Sequence, residues 1–127
     1  SCPNGYKEWH GFCYKYFNTR KTFSDAAATC REDGGTLAMP RDAGTNNFLA
    51  SVLVPSSNNF SPIVFWIGLH DKRKEGSFEW MDGSALADYN SWSPGEPNGN
   101  GDCVSNSALW ANKWINLSCD IWRNFFC

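Results

Sequence analysis

Phe65-Trp66-Ile67-Gly68-Leu69 reads as a short buried strand: four of the five residues are apolar and none is charged. Downstream, Ser77-Phe78-Glu79-Trp80 reads as another strand, and Asp82-Gly83 is a turn signal. From Trp92 to Gly101 the chain is almost pure loop: Trp92-Ser93-Pro94-Gly95-Glu96-Pro97-Asn98-Gly99-Asn100-Gly101. Asp102-Cys103-Val104 starts the next strand, Trp114-Ile115-Asn116 lies in or beside the one after, and residues 122–127 close the chain. Upstream, residues 56–62 are rich in Ser, Asn and Pro and read as a loop. Before them, a helix is expected over about 44–53, with Phe48, Leu49 and Val52 inward and Pro55 forbidding continuation. A first helix is expected over 23–32. Thr22 caps it with Asp25 three residues on, Phe23, Ala27 and Cys30 share a face, and Gly34-Gly35 ends it. Residues 2–17 read as a hairpin, with turn chemistry at Cys2-Pro3-Asn4-Gly5 and an aromatic strand from Phe12 to Phe17. Two early helices followed by short strands around a long loop define an α+β class. With no internal repeat and no linker, residues 1–127 form a single domain.

Bulk properties narrow the function. The chain has 127 residues, enough for one core, and is 42% hydrophobic and 16% aromatic, which excludes disorder. Net charge is −2 with no basic stripe, so nucleic acid is a poor partner. No apolar run approaches the roughly 18 residues of a membrane helix, so membrane insertion is not expected. The sequence begins at Ser1-Cys2-Pro3 without a signal-peptide pattern, which suggests a mature chain or a fragment. Six cysteines, Cys2, Cys13, Cys30, Cys103, Cys119 and Cys127, with no CxxC pair, point to disulfides and a secreted or extracellular setting. Six cysteines allow 15 pairings, and spacing alone does not choose among them. No Gly-x-Ser-x-Gly, HExxH or P-loop pattern is present, and nothing around Glu96 and Asp102 suggests a glycosidase dyad, so no enzyme is expected.

Taken in order, Trp66-Ile67-Gly68-Leu69, Glu79-Trp80-Met81-Asp82-Gly83-Ser84, Glu96-Pro97-Asn98, Asp102-Cys103-Val104, Trp114, Cys119 and Cys127 resemble the C-type lectin-like domain over nearly the whole chain. The resemblance implies a C-type lectin fold, with two helices flanking small antiparallel sheets and a long irregular binding loop. It implies bridges Cys30–Cys127 and Cys103–Cys119, with Cys2–Cys13 as the extra bridge of the long form, stapling the N-terminal hairpin. It also implies that Trp66, Ile67 and Leu69 are core.

For Glu96-Pro97-Asn98 the resemblance implies a cis proline that points the flanking side-chain oxygens the same way. A carboxylate and an amide carbonyl are hard oxygen ligands, and calcium takes 6–8 of them. Two neighbouring sugar hydroxyls could complete such a shell while the carboxylate accepts and the amide donates hydrogen bonds. In the family this tripeptide goes with equatorial 3- and 4-hydroxyls, which implies mannose, glucose, GlcNAc or fucose. The expected metal ligands are Glu96, Asn98, Asp102 and Asn116, with Glu96, Asn98 and Asn116 also contacting carbohydrate.

The pattern departs from the family where Gly101 replaces an acid before Asp102-Cys103, and where Ile115-Asn116 replaces Asn-Asp. Asp102 is a replacement carboxylate if the short loop Gly99-Asn100-Gly101 lets it swing in, and Asn100 is a further candidate. Fewer charges imply a weak calcium site, on the order of 10⁻⁴–10⁻³ M. Zinc is the minority alternative, but nothing places either imidazole, His10 or His70, beside Glu96. Asp71 and Glu75 fall where an auxiliary calcium site would lie, with Asp102 as a third ligand and Gly99 where another acid would be; the competing reading is a solvated, self-paired surface loop. Trp110 is either a core residue or a face for a pyranose ring. Asn59-Phe60-Ser61 and Asn116-Leu117-Ser118 are glycosylation sequons, and Asn116 cannot both carry a glycan and hold a metal. The expected function is a metal-dependent lectin, possible in innate recognition of microbial glycans and gaining avidity by oligomerisation. The alternative is a metal-independent lectin-fold module that binds a protein ligand.

Overall fold

The computed structural model describes residues 2–53, 63–107 and 112–127. Strands β1 (Lys7–Trp9) and β2 (Phe12–Tyr14) form a two-stranded antiparallel hairpin. Its turn is at His10-Gly11, where both residues have positive φ, and not at the expected Asn4-Gly5. Strand β3 (Tyr16–Lys21) follows, then helix α1 (Phe23–Glu32) and helix α2 (Ala43–Leu53). Five more strands complete the domain: β4 (Val64–His70), β5 (Glu79–Trp80), β6 (Cys103–Ser107), β7 (Lys113–Leu117) and β8 (Arg123–Phe126).

Both helices start where local chemistry starts them. The Thr22 hydroxyl accepts from the Asp25 N–H, as the capping pattern predicts. For α2 the cap is Asp42, whose carboxylate accepts from the Thr45 N–H at 2.7 Å. The inward face of α2 is Thr45, Asn46, Leu49 and Leu53, while Phe48 and Val52 are half-buried against the core. The α2 face is therefore rotated from the expected one, because Asn46 turns inward to accept from Trp114 Nε1 and Asn106 Nδ2. The expected 56–62 loop lies outside the described residues.

The larger sheet runs β3-β8-β4-β6-β7, with β5 paired to β4. Its pairs are antiparallel except β4 with β8, which is parallel, so the sheet is mixed. Strand β4 is central: Phe65, Trp66, Ile67 and Leu69 have no exposed surface. Full burial of each contributes roughly 1.5–3 kcal/mol. Gly68 is required there, since a Cβ would stand 2.7 Å from the Leu37 carbonyl oxygen and 2.8 Å from Met81 Cγ. Trp66 satisfies its indole N–H on the Lys21 carbonyl at 2.9 Å.

The disulfides are Cys2–Cys13, Cys30–Cys127 and Cys103–Cys119. Cys30–Cys127 ties α1 to the chain end across 97 residues, a closure that contributes about 5 kcal/mol in the chain-entropy account. Cys103–Cys119 joins the start of β6 to the turn after β7. It thereby fixes the base on which the long loop rests.

Candidate functional site

The 92–101 loop is irregular but anchored. The Ser93 N–H donates to the Trp114 carbonyl at 2.9 Å, and the Trp114 N–H donates to the Ser91 carbonyl at 2.7 Å. Trp92 packs edge-on against Trp114 at 5.6 Å between ring centres. These contacts hold the loop beside β7, and the Glu96–Pro97 peptide bond is cis. Beyond it, Asn98 Nδ2 donates to Glu96 Oε2 at 2.9 Å, so the carboxylate and amide lie side by side. The Asn100 N–H donates to Asn98 Oδ1 at 2.8 Å.

Asn116 completes this group in a way the sequence does not announce. It lies in β7 opposite Val104 of β6 and is 4% exposed. Its Oδ1 accepts from the Asn98 N–H at 2.8 Å. Its Nδ2 donates to the carbonyls of Asn98 and of Gly101, the latter at 2.7 Å. The amide orientation is forced, because only the amino group can face two carbonyls. Asn116 thus ties both ends of the 98–101 segment to β7. With every amide hydrogen engaged and the side chain buried, it is closed to glycosylation. The Asn59 sequon and Trp110 lie outside the described residues.

Gly101 explains the missing acid. A Cβ there would stand 2.0 Å from the Leu117 carbonyl carbon and 2.3 Å from its oxygen. The segment between Pro97 and Cys103 is so short that position 101 runs against the backbone of β7. No side chain fits there without moving the loop.

The structure brings Asp102 together with Asp71 and Glu75: one oxygen from each carboxylate lies within 4.8 Å of the others. Glu96, Asn98 and Asn116 form a separate hydrogen-bonded group. Asp71 directly follows β4, and its N–H donates to the Asp102 carbonyl at 2.9 Å. It is 1% exposed; Oδ2 accepts from the Gly76 N–H at 2.8 Å, while the buried Oδ1 has no partner. Asp71 and Asp102 crowd Glu75 and hold its carboxyl above its ordinary pKa, Asp71 having the largest effect. The burial of Asp71 was hidden in the sequence by the charged run after it; its position at the end of an apolar strand was the available signal.

Three carboxylates and an orphaned buried oxygen suit a hard cation such as calcium. No other group of three or more acidic, His or Cys side chains converges among the described residues. The set contains no imidazole. His10 stacks on Trp9 at the hairpin turn, and His70 Nδ1 accepts from the Lys72 N–H. The donor chemistry therefore gives zinc no support. The Glu96, Asn98 and Asn116 group fits a cation only in part. It offers one formal charge, and the Asn98 and Asn116 side-chain oxygens already accept backbone N–H groups.

A disulfide-bonded α+β domain with an anchored loop that displays paired side-chain oxygens is a binding module. The family model described as the lectin C-type domain matches residues 19–127, and the chain belongs to that family. Such domains are binding modules, not enzymes. Collectin-10 of Gallus gallus is 37% identical over 126 residues, 97% of this chain, which spans 43% of that relative's length. The snaclec coagulation factor IX-binding protein of Protobothrops flavoviridis is 34% identical, with 99% of this chain and 98% of the relative covered. Among solved structures, the cow carbohydrate-recognition domain of CD23, crystallised in the presence of GlcNAc2Man3 oligosaccharide, superposes with a TM-score of 0.85 at 30% identity, covering 100% of this chain and 94% of that one. No described helix is long and apolar enough to cross a membrane.

Proposed function

We propose that this domain is an extracellular, calcium-dependent lectin that binds saccharides with equatorial 3- and 4-hydroxyls through Glu96 and Asn98. The reading rests on one observation: across the cis Glu96–Pro97 bond, the Glu96 carboxylate and Asn98 amide lie paired on a loop anchored to β7. A sugar diol meets an acceptor and a donor there in the spacing of one hydrogen bond. Asp71, Glu75 and Asp102 would hold the calcium ion that the chain binds best. Asp102 ends the loop, so a cation there would supply positive charge that offsets three crowded carboxylates and would fix the loop against β4. A weaker cation site at Glu96, Asn98 and Asn116 needs water and saccharide oxygens to fill its shell. The three disulfides favour secretion or an ectodomain, and microbial glycans are the ligands such a site would meet in innate recognition.

Pull-down on mannan in calcium, in zinc and in chelator, repeated with Glu96→Ala, tests this. Retention in calcium alone and loss in Glu96→Ala are expected; equal retention in chelator, or an intact Glu96→Ala, would refute the reading.

The competing reading, a protein-binding module without metal, draws on Asn116, whose amide is spent on the loop backbone, and on the factor IX-binding snaclec among the relatives. A glycan array silent with and without calcium favours it.

A further inference from the structure

Arg20 and Lys21 end β3, and Arg123 opens β8. The antiparallel register sets Lys21 opposite Arg123. Like charges facing each other across strands are unfavourable. No carboxylate offsets them: every Asp, Glu, Lys and Arg of the sequence lies among the described residues, and their ion pairs are Arg41–Asp82 and Arg73–Glu79. Lys21 Nζ donates to the Thr29 hydroxyl at 2.9 Å, and Arg123 Nη1 to the Trp122 carbonyl at 3.2 Å, both neutral acceptors. The Arg123 Nε is buried without a partner. Burial lowers the pKa of Arg123, and the Arg20 charge lowers it further, so the two guanidiniums feel each other. Beside them Ile121 and Trp122 are 36% and 61% exposed.

We infer that Arg20, Lys21, Arg123 and Trp122 form a second saccharide subsite, selective for sulfated sugars and independent of calcium. A sulfate ester stays ionised and offers three oxygens to guanidinium forks and an ammonium. An exposed indole face packs on the C–H face of a pyranose ring, which a free anion would leave unused. Duplex nucleic acid calls for a longer basic stripe, which a chain of net charge −2 lacks. In the sheet order, β3 lies at the opposite edge from β7, so this subsite is separate from the Glu96 loop.

The test titrates a heparin-derived sulfated hexasaccharide into the whole chain in chelator at low salt, followed by calorimetry and amide chemical shifts. Binding is expected to persist in chelator and in Glu96→Ala, and to weaken with salt. Arg20→Gln and Trp122→Ala, both at exposed positions, are each expected to weaken it about tenfold, the scale of one charge-assisted hydrogen bond or one aromatic contact. Both variants should keep the wild-type melting temperature and mannan binding, which separates this subsite from the calcium-dependent reading. Equal binding of the desulfated hexasaccharide, of phosphatidylserine vesicles or of duplex DNA would overturn the inference. Unchanged affinity in both variants would do so as well.

Discussion

Asn116→Asp restores an acid that the family pattern holds at this position, and the structure predicts that the restoration harms the protein. Asn116 Nδ2 donates to the carbonyls of Asn98 and Gly101 from a side chain only 4% exposed. An ionised Asp has no hydrogen to donate, so both bonds are lost and two carbonyl oxygens face a carboxylate. Two net hydrogen bonds contribute about 1 kcal/mol each, and the orphaned buried acceptors add a penalty of about 1–3 kcal/mol. The sum is about 3–5 kcal/mol. At about 4 °C per kcal/mol for a domain of this size, the melting temperature should fall by about 12–20 °C in chelator. The assay is a thermal melt by circular dichroism with the disulfides intact. Acidification should narrow the gap, because a protonated Asp regains one donor. Calcium should narrow it too, because a cation beside Glu96 can take the place of the lost hydrogens. A variant that melts within about 2 °C of wild type in chelator at neutral pH would refute the assignment of Asn116 as the pin of the loop.

Gly101→Ala must push the loop off β7, since its Cβ would overlap the Leu117 carbonyl; a loss of about 1–3 kcal/mol by urea unfolding is expected. Asp71→Asn should abolish calcium heat in calorimetry while stabilising the calcium-free protein near neutral pH, because Asp71 is the main cause of the raised Glu75 pKa. The sign follows from that shift: the folded state holds the Glu75 proton more tightly than the unfolded state. Calcium-free wild type should therefore lose stability as pH rises through the raised folded pKa, and saturating calcium should remove that loss. Asp82 shifts the other way, down to about 2, chiefly because it accepts from the Ser84 hydroxyl and N–H and then from Arg41. Its contribution is present above its ordinary value of 3.8 and is lost as pH falls through about 2. A carboxyl carbon titration by NMR that finds a midpoint near 3.8 contradicts this.

The parts of the fold legible in the sequence are those set by local chemistry. The buried run Phe65–Leu69, the Thr22 cap with α1 behind it, and the long loop need only composition and spacing to be read. The cysteine pairing needed the family resemblance, because spacing alone left 15 choices. What the sequence withheld depends on which distant backbones meet. Asp42 as a cap, Asn46 turning inward, and the burial of Asp71 all follow from packing that no local window contains. The candidate site divides along the same line. Glu96-Pro97-Asn98 announces itself as three adjacent residues. The role of Gly101 and Asn116 appears only when β7 is laid beside the 98–101 segment. That contact links the departures from the family pattern into one change. A shorter loop brings position 101 against Leu117, which admits only glycine, and it leaves carbonyls at 98 and 101 that need a donor. Asn supplies that donor where Asp could not. The loss of the acid at 101 and the change to Asn at 116 are therefore coupled, and the double variant Gly101→Glu with Asn116→Asp should fail to recover a strong calcium site unless the loop is also lengthened.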